Sequence, residues 1–358
     1  MPRLFGKELS EYQVRERVGS IEQVGGVERM ILAEGSSAGV EAFRVRTGGG
    51  LDFTVLGGRG MDIGAAEYRG YPLAWVSGTG PAHSAFFEPD GLGWLRTFHG
   101  GLVCTCGLTW AGAPATDGDQ QLGLHGRVSH IPARHLSSGG RWRDGQYIIF
   151  AEGEMRETSV FGPDVLMRRT VTSVLGEPRI QIDDVVTNDG FAPQEHMIIY
   201  HCNLGFPLMG PDAELVTPAS QVVGRDEYSQ STIARWARFS DPQPGVEERV
   251  YYHDLKARAD GMTVVAVVNR GLGEGLALYF EYDRGPLWNM SQWKMPGQST
   301  FVLGIEPANC HVQGRPFERD RGTLQVLEPG ETREHKMTIG VAEGRQEIDQ
   351  LVKSIKAI

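Results

Sequence analysis

Short runs of alternating apolar and polar residues fill most of this 358-residue chain. From Val27 onward the runs are four to eight residues long, and glycines separate them, as in EAFRVRTGGG and LDFTVLGGRG. A two-residue period interrupted by turn residues is typical of β-hairpins. The pattern therefore predicts roughly fifteen to twenty strands with few helices between them.

Helical spacing is confined to the two ends of the chain. Residues 7–18 carry apolar positions among charged ones, which predicts a short opening helix. Residues 347–358 place five apolar side chains on one stripe, which predicts a C-terminal helix. We expect this second helix to cover a sheet edge.

The order of the elements limits the fold class. Because no helix of about ten residues separates the strands, a parallel α/β sheet is excluded, and a large antiparallel sandwich, a barrel or a propeller remains. No fixed repeat with the length of a propeller blade occurs, which disfavours a propeller. We predict an all-β fold with a large antiparallel sandwich and few peripheral helices.

The chain is predicted to form one domain over residues 1–358, because no linker rich in proline, serine or charge divides it. Residues 1–20 would be an N-terminal extension and residues 344–358 the C-terminal helix. Two stretches, 78–99 and 111–121, do not follow the strand pattern. Long loops on a rigid β scaffold commonly carry ligand contacts, so both stretches are expected to wall a site.

Composition and charge narrow the classes of partner. Glycine accounts for 48 of the 358 residues, about twice its usual share of ~7%, which agrees with many turns. The formal net charge of -10 opposes binding to nucleic acid and to anionic membranes. The N-terminus lacks the apolar stretch of a signal peptide, and no run of 18 apolar residues occurs, so a soluble, cytoplasmic protein is expected.

The four cysteines are few for a chain of this length. Two of them are separated by a single residue, which is neither a zinc-binding nor a thioredoxin-like spacing. We expect all of them to be reduced and buried: Cys104, Cys106, Cys202 and Cys310.

The segment EHMIIYHCNLGFPLM is apolar on both strand faces, which predicts a central strand covered by two layers. Its two histidines, His196 and His201, are five residues apart and should point to opposite faces. His201 lies in the more polar setting, with Asn203 on the same face, and is a candidate for ligand contact. The alternative is a core histidine bonded to a backbone carbonyl.

Glu306 ends the apolar strand of TFVLGIEPANC, in which Gly304 shares its face and leaves space beside the carboxylate. Burial raises the pKa of a carboxyl group, which suits a general base near neutral pH. Asn309 follows closely and is a candidate for substrate binding. The alternative is an exposed carboxylate at a strand end.

GLHGRVSHIPARH brings several cationic residues together. A zinc site is excluded because the histidine spacings alternate across a strand and no cysteine or carboxylate cluster completes a ligand set. His125 and Arg127 suit contacts to hydroxyl groups, and the arginine could bind a carboxylate or phosphate. A turn with solvated charges is the alternative.

Two further segments carry candidate ligand contacts. In GGRGMDIG, Arg59 and Asp62 either touch a ligand or pair with each other. In SQWKM, the Trp293 face could stack on a pyranose while Gln292 and Lys294 bind its hydroxyl groups. Trp293 could equally belong to the core.

Several common catalytic motifs are missing. GLGEGL does not match the dinucleotide-binding glycine pattern and runs into a strand. No nucleophile elbow, phosphate-binding loop or H-E-x-x-H motif occurs. We therefore expect no metal and no cofactor.

Taken together, GLHGR, YHCNLGFPL, SQWKM and GIEPAN resemble the galactose mutarotase-like superfamily, and more closely a bacterial branch of aldose 1-epimerase family proteins, much of it without an assigned substrate. The resemblance covers about residues 20–340 and implies a β-supersandwich. It also implies that His201 is the general acid at the ring oxygen, Glu306 the general base at the anomeric hydroxyl, and His125 a group that orients the sugar.

Two segments depart from the superfamily pattern. GRGMDIG stands where mutarotases have the first half of an asparagine-rich signature, and IIYHCNLGF replaces an Asn-His-Thr-Tyr type of strand. These departures leave the identity of the sugar undetermined.

The resemblance implies a cofactor-independent isomerase that interconverts the anomers of a small sugar. In that mechanism a protonated His201 and an ionised Glu306 would act from opposite sides of one sugar. Two alternatives keep the fold: a sugar isomerase or lyase that abstracts a carbon-bound proton, and a non-catalytic carbohydrate-binding protein. A homodimer is compatible with the sequence.

Overall fold

A computed structural model describes residues 1–358 of the chain. Its strands, in chain order, are β1 Arg3–Leu4, β2 Lys7–Glu8, β3 Gly26–Ile31, β4 Glu41–Arg46, β5 Leu51–Leu56, β6 Asp62–Tyr68, β7 Tyr71–Pro72, β8 Cys104–Leu108, β9 Ala115–Asp117, β10 Gln120–Leu122, β11 Arg134–Arg143, β12 Gln146–Thr158, β13 Asp164–Val174, β14 Arg179–Asn188, β15 Gln194–Leu204, β16 Ala213–Val216, β17 Ala219–Gly224, β18 Arg249–Leu255, β19 Met262–Asn269, β20 Leu276–Asp283, β21 Asn289–Pro296, β22 Phe301–Ala308, β23 Gln325–Leu327 and β24 Thr332–Glu343. Eighteen of them span four residues or more, as the pattern predicts, and six are shorter.

The helices are few and peripheral: α1 Glu11–Arg15, α2 Glu227–Ser231, α3 Arg315–Arg321 and α4 Arg345–Lys356. None of them has the length and apolar character needed to span a membrane. The C-terminal helix α4 forms where its apolar stripe predicts it, and Ile348 and Ile355 are buried in a cluster with sheet residues such as Val264.

The opening helix is shorter than predicted. Residues 7–8 form β2, which pairs with β1, so the helix begins only after Ser10. The Ser10 hydroxyl accepts a hydrogen bond from the backbone of Gln13, and the Gln13 side chain accepts one from the backbone of Ser10. This reciprocal capping box fixes the first turn of the helix.

Three large antiparallel sheets make up the fold. The first has the order β11-β12-β13-β14-β24-β20-β19-β16, and the second has the order β17-β18-β21-β22-β15-β23 with β8 also paired to β15. The third is the meander β3-β4-β5-β6-β7, formed by the glycine-punctuated runs near the N-terminus. This arrangement confirms the large antiparallel β-sandwich that the sequence predicts.

Strand β15 separates two apolar clusters. Its even-numbered residues, such as Tyr200 and Cys202, belong to the main core of 51 residues, which runs from Leu4 to Val341. Its odd-numbered residues Met197 and Ile199 belong to a smaller cluster that contains aromatic rings. A strand that is buried on both faces has a nearly continuous apolar sequence, and β15 has such a sequence.

The two histidines of β15 lie on opposite faces, as their spacing predicts. The Nε2 atom of His196 lies 3.1 Å from Nε2 of His335, in the interior. His201 instead packs against Phe98 and Trp293, with ring centroids 5.4 Å from each. Only His201 faces the side on which a pocket opens.

The two irregular stretches differ from each other. Residues 78–99 contain no strand and form two short 3-10 turns, Ser84–Phe86 and Gly93–Thr97, as expected for a loop. Residues 111–121 instead include most of the hairpin β9-β10, so the expectation of a non-sheet insertion is wrong there. Gly118 has a φ of 63°, which the two-residue turn of this hairpin requires.

All four cysteines are free thiols in the interior, as expected.

Candidate active site

His201 and Glu306 face each other across two neighbouring strands. The register of β15 and β22 pairs Cys202 with Ile305 and Asn203 with Gly304, which places His201 opposite Glu306. The His201 Nε2 atom lies 3.2 Å from Oε1 of Glu306. Cross-strand partners have their Cβ atoms about 5 Å apart, so the sheet itself holds the two side chains in contact.

Gly304 leaves the space that this pair occupies. A Cβ atom at position 304 would lie 2.7 Å from Oε1 of Glu306, 2.9 Å from Cβ of Trp293 and 3.3 Å from Cε1 of His201. Contacts below about 3 Å are not tolerated between such atoms. The sequence-based expectation that this glycine clears room beside the carboxylate is confirmed.

A pocket of about 370 Å³ opens above the pair, within the size range of small-molecule sites. Its polar lining consists of His125, His201, Arg225, Glu248 and Glu306. The remaining lining is apolar: Leu92, Trp94, Leu95, Phe98, Ala113, Pro114, Leu124, Val250, Trp293 and Val312. The two irregular stretches supply six of these apolar residues, as predicted for segments that wall a site.

Burial sets the protonation of the pair. Desolvation raises the pKa of Glu306 to about 8, and the nearby Glu248 charge adds to the increase. Desolvation lowers the pKa of His201 to about 4. Near neutral pH the pair therefore carries one proton, on Glu306, and both groups are uncharged. The expected imidazolium and carboxylate are therefore both neutral in the free protein, with the proton on Glu306 and not on His201.

In the free protein the two groups touch, and their expected action from opposite sides of one sugar stays a prediction.

His125 lies beside the pair in a strained backbone conformation. Its φ is 59°, and Gly126 follows with a φ of 74°, so the chain turns sharply here. The ring centroid lies 4.8 Å from that of Trp94 and 5.8 Å from that of His201. Burial lowers the pKa of His125 to about 3, which leaves it a neutral hydrogen-bonding group.

Arg225 and Glu248 form an ion pair at the pocket, and sequence analysis missed both. Two Arg225 nitrogens donate to Oε1 of Glu248 at 3.2 Å, and Trp293 Nε1 donates to its Oε2 at 2.8 Å. The pair thus fixes the Trp293 ring that borders Glu306. Both residues lie next to strand ends in charged surface loops, and no sequence signal separates them from ordinary solvated charges.

One protein family matches most of this chain. A family model described as a domain of unknown function (DUF4432) matches residues 37–341. The chain belongs to this family. The description of DUF4432 names no activity, and a search of curated proteins finds no match to the sequence.

Several solved structures similar to this DUF4432 chain carry aldose 1-epimerase or mutarotase names. A Klebsiella pneumoniae protein provisionally named an aldose 1-epimerase has a TM-score of 0.87 and 25% identity, over 92% of this chain and 87% of that one. A galactose mutarotase-like protein from Clostridium acetobutylicum has a TM-score of 0.60 and 11% identity, over 90% and 99% of the two chains. Galactose 1-epimerase from Lactobacillus acidophilus has a TM-score of 0.58 and 10% identity, over 90% and 100%. The fold is therefore galactose mutarotase-like, as the resemblance implies.

Arg59 and Asp62 of the DUF4432 chain do not line the pocket, so the predicted substrate contacts are wrong. Both are fully buried. The Arg59 guanidinium donates to three backbone carbonyls, at 2.6 to 3.1 Å. Asp62 lies 3.4 Å from Arg169, so the alternative of an Arg59–Asp62 ion pair is not realised either.

Asn203 and Asn309 are also structural. Asn203 shares the face of His201, but its Nδ2 donates to the backbone carbonyls of Gly101 and His201 at 3.1 and 2.8 Å. The Asn309 side chain accepts from the backbone N–H of Ile198 at 2.7 Å. Neither residue lines the pocket. The Asn203 Nδ2 and the Asn309 Oδ1 bond to backbone groups instead.

Of the SQWKM residues, only Trp293 lines the pocket. The Gln292 amide donates to the Trp236 carbonyl at 2.8 Å, and the Lys294 ammonium donates to the Arg235 carbonyl at 2.7 Å. Adjacent residues of a strand point to opposite faces, so the three side chains could not all meet one ligand. The predicted contacts of Gln292 and Lys294 are therefore wrong.

Arg127 is exposed, immediately before a 3-10 turn at Val128–His130, and does not line the pocket. The predicted contact to substrate is not present. The chain turns sharply at His125 and Gly126. His125 therefore lines the pocket while Arg127, two positions later, does not.

One set of side chains could hold a metal ion. Asp62, His99 and Cys104 each offer a ligand atom, and these atoms lie within 4.8 Å of one another. All three are buried and lie outside the pocket lining. The neighbouring guanidinium of Arg169 opposes a further positive charge at Asp62.

Proposed function

We propose that this protein is a cofactor-independent aldose 1-epimerase that interconverts the anomers of a sugar. The observation that carries the proposal is the contact of 3.2 Å between His201 Nε2 and Glu306 Oε1, at a pocket on a galactose mutarotase-like fold. One member of such a pair can give a proton while the other takes one. Anomer exchange requires both transfers and no change of oxidation state.

The reaction begins with removal of the proton from the C1 hydroxyl. The bond between C1 and the ring oxygen breaks, and the ring oxygen receives a proton, which gives the open-chain aldehyde. Rotation about the C1–C2 bond presents the other face of the aldehyde. Ring closure then reverses the two proton transfers and restores both side chains.

The family resemblance assigns the acid to His201 and the base to Glu306. In the free protein the shared proton lies on Glu306, because burial disfavours both charges. The direct contact of the two groups lets this proton pass to His201 when the substrate arrives. The neutral pair and the ion pair contain the same number of protons, so either form can start the reaction.

The surrounding residues support binding of a sugar ring. Trp293 offers an aromatic face beside Glu306, and aromatic rings commonly pack against the C–H face of a pyranose. His125 contributes a neutral hydrogen-bonding group near His201. We assign these two residues to binding and orientation.

Polarimetry of freshly dissolved α- and β-anomers tests the proposal. A panel of aldoses that includes deoxy, acidic and phosphorylated sugars should contain at least one whose approach to equilibrium is accelerated, with unchanged composition by NMR. A new ketose or an unsaturated product would instead indicate an isomerase or lyase. Tight binding with no rate effect on any sugar would indicate a carbohydrate-binding protein.

A further inference from the structure

Building on the proposed function, we propose that the substrate is an aldose in which hydroxyl groups away from C1 are missing or alkylated, that is, a deoxy or O-methyl sugar. The pocket offers few hydrogen-bonding side chains. Only five of its fifteen lining residues are polar. Four of those five either serve the anomeric centre or bond to other groups of the protein.

The acid/base pair is occupied by the anomeric centre. In the proposed reaction His201 and Glu306 serve the ring oxygen and the C1 hydroxyl, which leaves neither for another hydroxyl group. The Nδ1 atom of His201 is buried and has no partner, and the ring packs against Phe98 and Trp293. The ring therefore meets the sugar through its Nε2 atom, which the anomeric centre uses.

The ion pair at the pocket is satisfied within the protein. Arg225 bonds both Asp226, at 2.9 Å, and Glu248, at 3.2 Å. The second oxygen of Glu248 accepts from Trp293. Within the lining, the Arg225 and Glu248 charges neutralise one another, so this ion pair does not select an acidic or a basic sugar.

His125 is then the one uncommitted polar side chain in the lining. No hydrogen bond holds its ring in place, and its Nδ1 atom is buried without a partner. A fully hydroxylated hexose brings several hydroxyl groups besides the anomeric one. Those that face the lining would lie against carbon atoms and lose hydrogen bonds to water on that side, which is unfavourable.

The apolar wall extends to the rim. Leu92 and Leu95 both line the pocket and are 61% and 48% exposed. Both belong to the irregular stretch 78–99, so this loop presents apolar side chains at the pocket rim. A methyl or methylene group of the substrate would cover this surface favourably.

Matched sugars test the inference. The rate of mutarotation should be measured by NMR exchange or polarimetry for glucose and galactose, for each of their monodeoxy derivatives, and for 3-O-methylglucose. We expect at least one derivative to exceed its parent in kcat/KM by about tenfold or more, since each unpaired buried hydroxyl weakens binding to that degree. Equal or higher kcat/KM for the parent in every pair would overturn the inference.

A variant in the wall gives an independent readout. Leu124→Asn adds a hydrogen-bonding group to the apolar lining and should lower the preference for the best derivative over its parent. Val326→Asn, on β23 outside the pocket lining, should leave that ratio unchanged. An unchanged ratio in a folded Leu124→Asn protein would also contradict the inference.

If no aldose of any kind is accelerated, the proposed function fails, and that result is distinct from a preference for the parent sugars.

Discussion

His201 and Glu306 are cross-strand neighbours whose side chains touch, with Nε2 and Oε1 3.2 Å apart, although 105 positions separate them in the chain. The register of two central strands alone sets this contact. Because both strands are buried, thermal motion of the backbone should disturb the pair little. The proposed anomer exchange requires this contact.

The pH dependence of catalysis should follow the reversed protonation of the pair. Below about pH 4 both groups hold a proton and no base is available, since the pKa of His201 is about 4. Above about pH 8 neither holds a proton to donate, since the pKa of Glu306 is about 8. We expect kcat/KM to form a broad bell between these limits. A profile that is flat from pH 7 to 10 would contradict this assignment.

The ion pair at the pocket should tune the alkaline limb of that profile. The Glu248 charge raises the pKa of Glu306 and the Arg225 charge lowers it, both after the larger effect of burial. Glu248→Gln should therefore move the alkaline limb to lower pH, and Arg225→Gln should move it to higher pH. Glu281→Gln, which breaks a surface ion pair with Arg258, is the matched control and should leave the limb in place. Shifts of the two pocket variants in the same direction would show that another effect dominates.

His125 and Arg127 should differ sharply although they are two positions apart. His125→Asn keeps a residue type that tolerates positive φ, so the turn should survive while the contact to substrate weakens. We expect KM to rise about tenfold with kcat changed much less. Arg127→Ala should change neither constant, because the side chain is exposed and does not line the pocket. A collapsed kcat in His125→Asn would make that residue part of the chemistry.

Catalysis should need no metal ion. The proposed proton transfers use side chains only, and the Asp62, His99 and Cys104 set lies outside the pocket lining. Activity on a sugar identified by the polarimetric panel should survive treatment with a chelator followed by dialysis. Loss of activity that zinc or another divalent ion restores would contradict this prediction.

The strand pattern predicted the fold and the strand faces of His201 and Glu306 for a physical reason, whereas their pairing was implied by the family resemblance. A two-residue period fixes which side chains share a face, so it separated His196 from His201 and set Glu306 beside Gly304. The same rule, applied to SQWKM, excludes Gln292 and Lys294 once Trp293 faces the pocket. The alternation of side chains along this strand is therefore enough to show that the three residues cannot share one ligand.

Other parts of the site could not be read from the chain. The alternation of side chains gives the face of a strand but not what covers that face. Asn203 was therefore expected in the pocket, whereas its Nδ2 donates to the backbone carbonyl of Gly101. Arg225 and Glu248 meet only because the loops beside β17 and β18 come together. Trp94 and Phe98, in contrast, lie four residues apart in the irregular stretch expected to wall the site, and that spacing could have identified them.

Variants of the acid/base pair need controls for folding. Gln at position 306 retains shape and hydrogen bonding and removes only the titrating group. Glu157→Gln is a matched control, since Glu157 is also buried and accepts hydrogen bonds from Leu108 and Thr109 outside the pocket lining. His201→Asn should lose as much turnover as the Glu306 variant, and the double variant should lose much less than the product of the two.

The most direct test is the turnover number of Glu306→Gln on the best aldose, measured by polarimetry on protein whose circular dichroism matches the unmodified chain. Removal of a general acid or base typically lowers the rate by 10² to 10⁴. We predict a loss in that range for Glu306→Gln and a near-normal rate for Glu157→Gln. A folded Glu306→Gln protein that retains near-normal mutarotation would contradict the account.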